Sequence, residues 1–171
     1  MKLLIHDLDK TSFANLIGEV DQGVVVIDNS KKIINCVGCF GCWVKTPATC
    51  VMKDSFMDMG KLIAQCDDII IISECVYGGY SPFVKNVLDR SISYVLPYFT
   101  IRKGEMHHKS RYLKQGNFSA YFYGKEVSEE EIDTAQNLVH GNALNLNMFL
   151  KNFFVVKNIE DLKGELKWIY Y

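Results

Sequence analysis

Proline is scarce in this sequence, and so are long hydrophobic runs. Only three of the 171 residues are proline, and no proline-rich linker divides the chain. No aliphatic run exceeds the four residues of Ile69–Ile72, whereas a membrane-spanning helix needs roughly 20 apolar residues. The sequence turns acidic at Asp7 after only a few apolar side chains, unlike a signal peptide. We therefore expect a single domain over residues 1–171, neither secreted nor embedded in a membrane.

Excess charge of one sign is also missing. Lysine and arginine number 19 against 20 acidic residues, for a formal net charge of −1, and no basic stripe is interleaved with aromatic residues. A nucleic-acid-binding surface has the opposite features, so we expect no nucleic-acid partner. The chain instead has 49% hydrophobic and 12% aromatic residues, enough for a chain of this length to build a core unaided.

The cysteines are unevenly distributed. Four of the six lie within Cys36–Cys50, while Cys66 and Cys75 stand apart. A secreted disulfide scaffold spreads its cysteines to join distant loops, whereas a tight group in a chain of this size is typical of metal binding, redox chemistry or reduced thiols. We therefore predict a cytoplasmic protein.

Short apolar runs alternate with helical stripes along the chain. The strongest strand pattern is Asp68–Ser73, which is apolar on both faces, as a central strand of a parallel sheet must be. The other predicted strands are Lys2–Ile5, Gly23–Ile27, Asn117–Tyr123 and Asn152–Val156.

Capping signals predict helices between these strands. Ser81-Pro82 is a strong helix start, and the apolar stripe behind it extends to Val95. Ser128-x-x-Glu131 matches a capping box. Further helices are expected at Thr11–Val20 and behind a cap at Asp54-Ser55.

This alternation predicts an α/β fold, a flavodoxin-like three-layer sandwich with a five-stranded parallel sheet in the order 2-1-3-4-5. Ligands of such sheets bind beyond the carboxyl ends of the strands, where the strand order reverses. The loops after the first, third and fourth strands are therefore the segments in which a functional site is expected.

The first candidate for chemistry is the run Cys36-x-x-Cys39-x-x-Cys42, followed at a longer interval by Cys50. Cysteines at intervals of three in a glycine-containing loop can turn their sulfurs toward one centre, as in bacterial iron–sulfur sites. A four-thiolate zinc site is a second interpretation, although the third cysteine comes unusually soon for zinc. A packed loop of free thiols without metal is the third. The spacing alone leaves all three open.

Two other loops and one helix carry candidate residues. In Ser73–Ser81, two adjacent glycines allow a planar ligand to approach the backbone and Tyr77 could cover its face, but an ordinary turn would have the same composition. Lys85 and Asp89 are spaced for an exposed ion pair. The polar stretch Gly104–Tyr112 is interpreted as a solvated loop, a lid or an interface.

Together these stretches resemble the flavodoxin-like family of NAD(P)H-dependent FMN reductases and quinone reductases, which includes the iron–sulfur flavoproteins. The resemblance runs from about Ile33 to Tyr123. It rests on Cys36-x-x-Cys39-x-x-Cys42-Trp43 with Pro47, Cys50 and Asp54, on Gly78-Gly79-Tyr80-Ser81, on Lys85-x-x-x-Asp89-Arg90, and on Gly104-Glu105-Met106-His107-His108 with Arg111-Tyr112. It implies FMN on the carboxyl edge of the sheet, NAD(P)H as electron donor, a small-molecule electron acceptor and a homodimer.

The resemblance also implies which residues form the site. Along the flavin ring it places Ser73, Val76, Tyr77, Gly78 and Gly79, with Tyr123 and Gly124 in the next loop. At the phosphate, where the family has a Gly/Ser/Thr-rich loop, only Lys10, Thr11, Ser12 and the helix end could hold the group. As ligands of a 4Fe–4S cluster it implies Cys36, Cys39, Cys42 and Cys50. No side chain is identified as a catalytic acid or base, although Tyr77 and His107 or His108 could shape the acceptor pocket.

Acidic residues depart from the family pattern. The family has a Gly/Ser/Thr-rich phosphate loop after the first strand, where this sequence has carboxylates at Asp7 and Asp9. These repel a phosphate dianion. The family's proline after the loop serine is Glu74 here. We expect an FMN-dependent oxidoreductase. The alternatives are a degenerate binding protein without FMN and an iron–sulfur or other metal electron-transfer module using Cys36–Cys50.

Overall fold

Seven strands and five α-helices are found in residues 1–102 and 104–166, the part of the chain that this computed structural model describes. The strands are β1 (Lys2–His6), β2 (Val24–Ile27), β3 (Asp68–Glu74), β4 (Val95–Arg102), β5 (Glu105–Ser110), β6 (Asn117–Tyr123) and β7 (Phe149–Val156). The helices are α1 (Lys10–Leu16), α2 (Gly41–Val44), α3 (Met59–Gln65), α4 (Pro82–Arg90) and α5 (Glu129–Asn145), with 3-10 turns at Ile92–Tyr94 and Ile159–Gly164. Within the same residues, we find no helix whose length and hydropathy suit a bilayer span.

Five of the strands form one parallel sheet in the order β2-β1-β3-β6-β7. Counted among themselves, these strands follow the predicted order 2-1-3-4-5, and the flavodoxin-like fold class is confirmed. Strand β3 is central: Ile71 is in register with Ile5 on one side and with Ala120 on the other.

The sheet is covered on both faces, because alternate side chains of β3 point in opposite directions. Ile69 and Ile71 belong to the core formed with α3, α4 and α5, whereas Ile70 and Ile72 pack toward α1 and the 3-10 turn at Ile159–Gly164. All four isoleucines are almost completely buried. The continuous apolar run that predicted a central strand therefore serves two cores.

Helix α4 begins as predicted but ends earlier. Ser81 caps it by accepting a hydrogen bond from the Val84 amide, and Pro82 is its first residue. The helix stops at Arg90, so the prediction of one stripe reaching Val95 is wrong. After the helix, the Ser91 hydroxyl donates to the Val87 carbonyl at 2.7 Å, and the chain turns into β4.

The polar stretch after α4 is an antiparallel hairpin of β4 and β5 rather than a loop. Its strands place Phe99 opposite His108 and Arg102 opposite Glu105. The prediction of a solvated loop missed this pairing, because the alternation of polar and apolar side chains in β5 is weak.

Candidate functional site

A crevice of about 440 Å³ opens at the carboxyl end of the parallel sheet. Its walls come from the loop after β1, the ends of β3 and β6, and the segment after β7. Its lining residues are Leu8, Asp9, Ser12, Glu74, Tyr123, Gly124, Lys125, Lys157, Asn158, Ile159 and Glu160. The chain passes from one side of β1 to the other at this point, so the crevice lies at the topological switch point where doubly wound sheets bind ligands.

The Asp9 carboxylate caps helix α1 at one wall of this crevice. One carboxylate oxygen accepts hydrogen bonds from the amides of Thr11 at 2.8 Å and Ser12 at 3.0 Å. The other oxygen accepts from the Ser12 hydroxyl at 2.7 Å. The Ser12 amide and hydroxyl lower the pKa of Asp9, with the Thr11 amide contributing. The carboxylate is therefore ionised and holds three donors of the predicted phosphate loop.

The Asp7 carboxylate joins the ends of three neighbouring strands. It accepts a hydrogen bond from the Glu74 amide, at the end of β3, over 2.9 Å. It accepts another from the Tyr123 hydroxyl, at the end of β6, over 3.0 Å. Burial, followed by the charge of Asp7, raises the pKa of Tyr123, so this phenol is a neutral donor. Asp7 thus satisfies donors from the two loops that were predicted to contact a flavin ring.

The loop after β3 folds into a tight turn. Val76 and Gly79 exchange backbone hydrogen bonds at 2.8 and 2.9 Å, which leaves Tyr77 at the tip with 89% of its surface exposed. Gly78 has a φ of +74° and lies against α5, where an added Cβ would come within 2.9 Å of the Glu131 carbonyl oxygen. The turn is therefore anchored on α5 and presents an aromatic ring to solvent.

The structure brings some of the predicted flavin residues together and separates others. Ser12, Tyr123 and Gly124 line the crevice. Lys10 and Thr11 are exposed on α1, beside it. Ser73 is buried at the end of β3, where its hydroxyl accepts the Ser81 amide at 2.9 Å. The remaining residues, Val76, Tyr77, Gly78 and Gly79, form the separate turn described above.

The four clustered cysteines line a second, smaller cavity of about 50 Å³. Cys36 and Cys39 are exposed, Cys50 is half-buried and Cys42 is buried at the start of α2. Burial, and next the neighbouring Cys50, raises the pKa of the Cys42 thiol, and the other two cysteines act in the same direction. The loop therefore gathers four sulfurs that repel one another as thiolates.

Arg90 is a buried cation that lines the cysteine cavity. It forms a two-pronged ion pair with Asp54 at 2.7 and 2.8 Å and also donates to the Ile34 carbonyl at 2.6 Å. Burial would raise the pKa of Asp54, but hydrogen bonds from Arg90, Ile34 and Phe56 hold it below its usual value. The Arg90 Nε has no hydrogen-bond partner among the described residues, and the guanidinium also interacts with the Cys50 sulfur.

A third cavity, of about 540 Å³, adjoins the cysteine cavity. The two share Cys36, Gly38, Asp89 and Ile92, and the larger cavity is bounded by α4, α5 and the hairpin. His108 lines it and has a buried Nδ1 without a partner among the residues that the structure describes.

Sequence reasoning missed several of these roles. Asp9 followed by Thr11 and Ser12 matches a helix N-cap, a local signal that could have identified its hydrogen bonds. Asp54 or Ser55 was predicted to cap a helix. Asp54 pairs with Arg90 instead, and α3 begins at Met59. No local spacing signals that contact. The predicted ion pair between Lys85 and Asp89 is present at 2.6 Å.

The sheet order and the crevice at its switch point define a flavodoxin-like α/β protein. No protein-family model matches the chain. A curated relative, an iron-sulfur flavoprotein of Archaeoglobus fulgidus, is 32% identical to it over 66 residues. That alignment covers 39% of this chain and only 29% of the relative's length.

Solved structures show the same fold over almost the whole chain. General stress protein 14 of Treponema denticola, in complex with FMN, superposes with a TM-score of 0.54 at 13% identity, covering 99% of this chain and 92% of that one. An NADPH-quinone reductase from P. pentosaceus gives a TM-score of 0.58 at 13% identity, covering 99% and 95%. An azoreductase from Bacillus anthracis gives 0.58 at 9% identity, covering 99% and 93%.

Proposed function

We propose that this chain is an NAD(P)H-dependent, FMN reductase-like oxidoreductase that passes hydride or electrons to a small acceptor. The observation that carries this proposal is the crevice at the switch point of a flavodoxin-like sheet, which is where this fold binds FMN. The named activities of the solved neighbours, a quinone reductase and an azoreductase, support the same class of reaction. A bound flavin supplies the hydride and electron chemistry, and the protein supplies binding and orientation.

The two sides of the crevice differ in how well they suit FMN. The ring side offers a cavity of suitable size lined by Tyr123 and Gly124. The phosphate side does not fit a phosphate dianion, because Asp9 already holds the amides and the hydroxyl that would bind it. The proposal therefore concerns flavin-dependent chemistry, with FMN as the flavin found in a neighbour of the same fold.

The cysteine cavity is proposed as a site for a 4Fe–4S cluster. Four thiols around one mainly apolar cavity are the donor set that such clusters use. Within the described residues, no group of three or more His, Cys, Asp or Glu side chains is arranged around a single metal ion, so the proposal rests on the cysteine spacing and the shared cavity. All six cysteines are free thiols, as a reducing cytoplasm would keep them.

The larger cavity beside the cysteines is a suitable place for the electron acceptor. It shares Cys36 with the cysteine cavity, and its walls are mainly apolar, with His108 and Asn142 among the polar groups. A flat aromatic acceptor such as a quinone suits an apolar pocket with a few convergent polar groups. Of the histidines predicted to shape this pocket, His108 lines it, whereas His107 is held by Asn145 at 2.9 Å.

A homodimer is part of the proposal. The β4–β5 hairpin exposes Tyr98, Phe99, Ile101 and Met106, each with more than half of its surface accessible. Apolar side chains grouped on one hairpin are typical of a protein–protein interface. Sedimentation of the purified chain would detect the dimer.

A second candidate function is an iron–sulfur electron-transfer module without flavin. It is favoured by the four-cysteine cavity together with the poor fit of the phosphate side. The degenerate binding protein would have neither flavin nor cluster.

An absorption spectrum of protein purified without oxygen tests these functions together. We expect two visible flavin bands and a broad shoulder from the cluster, with oxidation of NADH or NADPH when a quinone is added.

Cys42→Ser should remove iron, acid-labile sulfide and the shoulder while leaving the flavin bands. Cys66→Ser, at a thiol far from the cluster motif, is the matched control and should change neither. Colourless protein that does not quench flavin fluorescence would contradict the main proposal.

A further inference from the structure

Three donors at the start of α1, the amides of Thr11 and Ser12 and the Ser12 hydroxyl, are already used by the chain itself. Asp9 accepts two amides and one hydroxyl, the kind of donor set that a helix start and its hydroxyls offer a phosphate group. The carboxylate is anionic, like the phosphate it resembles, because its hydrogen bonds lower the pKa of Asp9. A phosphate entering here would have to break three hydrogen bonds and approach a like charge.

Other acidic groups also disfavour the binding of a phosphate in this crevice. Glu74 and Glu160 also line the crevice, and Asp7 holds the Glu74 amide and the Tyr123 hydroxyl at its inner end. The cations in the lining, Lys125 and Lys157, lie on the loops after β6 and β7 rather than at the start of α1. Lys10 is exposed at the start of α1, but the Asp9 carboxylate next to it keeps the Thr11 and Ser12 donors occupied.

We propose that Asp9 takes the place of the flavin phosphate, so that the crevice recognises flavins by their ring and does not prefer the phosphorylated form. The ligand class is the unphosphorylated flavin, of which riboflavin is the simplest member. This inference rests on the proposed flavin-dependent function and specifies the ligand of the same site. It also predicts that removal of one carboxylate restores a preference for FMN.

Fluorescence titration of the purified full chain with riboflavin and with FMN tests the inference. For the wild-type chain we expect riboflavin to bind at least as tightly as FMN. Asp9→Gly frees the amides of Thr11 and Ser12, so FMN should bind about tenfold more tightly while the Kd of riboflavin stays unchanged. Glycine is tolerated at a helix N-cap, and circular dichroism would verify that α1 and the fold are intact.

Two further variants separate charge from hydrogen bonding. Asp9→Asn keeps a capping side chain of the same size but removes its charge, so FMN binding should tighten by about two- to fivefold only. Asp21→Asn removes an exposed carboxylate that accepts only its neighbouring Gln22 amide, and it should leave both affinities unchanged.

The possible results distinguish this inference from the proposed function. If the wild-type chain binds FMN about tenfold or more tightly than riboflavin, the inference is wrong and the flavin-dependent function stands. If only Asp9→Gly binds FMN, with wild type binding neither flavin, Asp9 does exclude the phosphate, but recognition of the ring by the natural chain fails, and the proposed function fails with it. Failure of every variant to bind either flavin would contradict both.

Discussion

Polar groups have different partners in the cysteine cavity and in the crevice at the carboxyl end of the sheet. In the crevice, Asp7 and Asp9 occupy the backbone and hydroxyl donors around them. In the cysteine cavity, four thiols face a common space, and the buried Nε of Arg90 has no partner among the described residues. Buried polar groups in native proteins are normally satisfied. The donors beside Asp7 and Asp9 are thus satisfied within the chain, whereas the cysteine cavity gathers four thiols beside a buried cation.

The two regions also differ in what holds them in place. The cysteine loop is held by the long-range ion pair between Arg90 and Asp54, both of which bond to Ile34, and by the hydrogen bond from the Cys36 amide to Asn86. The crevice depends on the local hydrogen bonds of Asp9 and on those of Asp7 to the distant Glu74 and Tyr123. Loss of the Arg90 side chain, which leaves a buried charge unpaired, should therefore lower the free energy of unfolding more than loss of the Asp7 side chain.

The largest effect is expected from Arg90→Leu. This change leaves the Asp54 carboxylate, whose side chain is only 9% exposed, without its counter-ion. Breaking a buried pair in this way costs about 3–5 kcal/mol of unfolding free energy. Asp7→Ala, on the crevice side, removes hydrogen bonds only and should cost about 1 kcal/mol. Urea unfolding followed by circular dichroism measures both.

Lys85→Gln is the matched control on the same helix. It breaks the exposed pair with Asp89, which should change the unfolding free energy by about 0.5 kcal/mol or less. If Arg90→Leu is insoluble, Arg90→Lys keeps the charge but loses the two-pronged geometry and should still be destabilising. Equal losses for Arg90→Leu and Asp7→Ala would remove the distinction between the two regions.

In the metal-free protein, thiol alkylation should be much slower at the core cysteine, Cys66, than at the exposed cysteines of the cavity. Burial raises the pKa of Cys66 to about 11, against an ordinary value of 9.0. At neutral pH its reactive thiolate is therefore about 100-fold rarer than that of an unperturbed thiol, and its labelling by iodoacetamide should be slower by at least that factor. The exposed Cys36 and Cys39 should be labelled first. Peptide mass spectrometry measures each rate.

The Cys66 labelling rate should also rise about tenfold per pH unit between pH 7 and 9, since the thiolate fraction does so below the pKa. Protein unfolded in urea is the control, because all six cysteines should then react at similar rates. Labelling of Cys66 in folded protein as fast as that of Cys36 would show that its burial is not maintained in solution.

Much of the fold could be predicted because its signals are local. The isoleucine run predicted the central strand, Ser81-Pro82 predicted the start of α4, and Ser128 with Glu131 predicted the start of α5, where both hydrogen bonds of the capping box form. The β4–β5 hairpin was not predicted, because cross-strand partners such as Phe99 and His108 carry no signal before the strands pair.

The candidate site could be predicted less completely. The cysteine group and the acidic residues after β1 were both identified from the sequence, since each is contiguous. That Asp9 caps α1 was within reach of local rules. The contacts of Arg90 with Asp54 and of Asp7 with Tyr123 depend on the packing of distant segments, and no spacing in the sequence encodes those distances.

A smaller effect than that of Arg90→Leu is expected at the turn after β3, Val76–Gly79. Gly78 has a φ of +74°, and a Cβ there would meet Thr134 at 2.7 Å and the Glu131 carbonyl oxygen at 2.9 Å. Gly78→Ala should therefore strain the turn, push it away from α5 and lower the unfolding free energy by about 1–3 kcal/mol. Gly79→Ala is the control, since its nearest neighbour outside the adjacent residues would be the Val76 oxygen at 3.3 Å. Thermal unfolding of both variants gives the comparison, and riboflavin titration shows whether the turn contributes to the crevice. If the two variants lose the same stability, the turn is not anchored on α5.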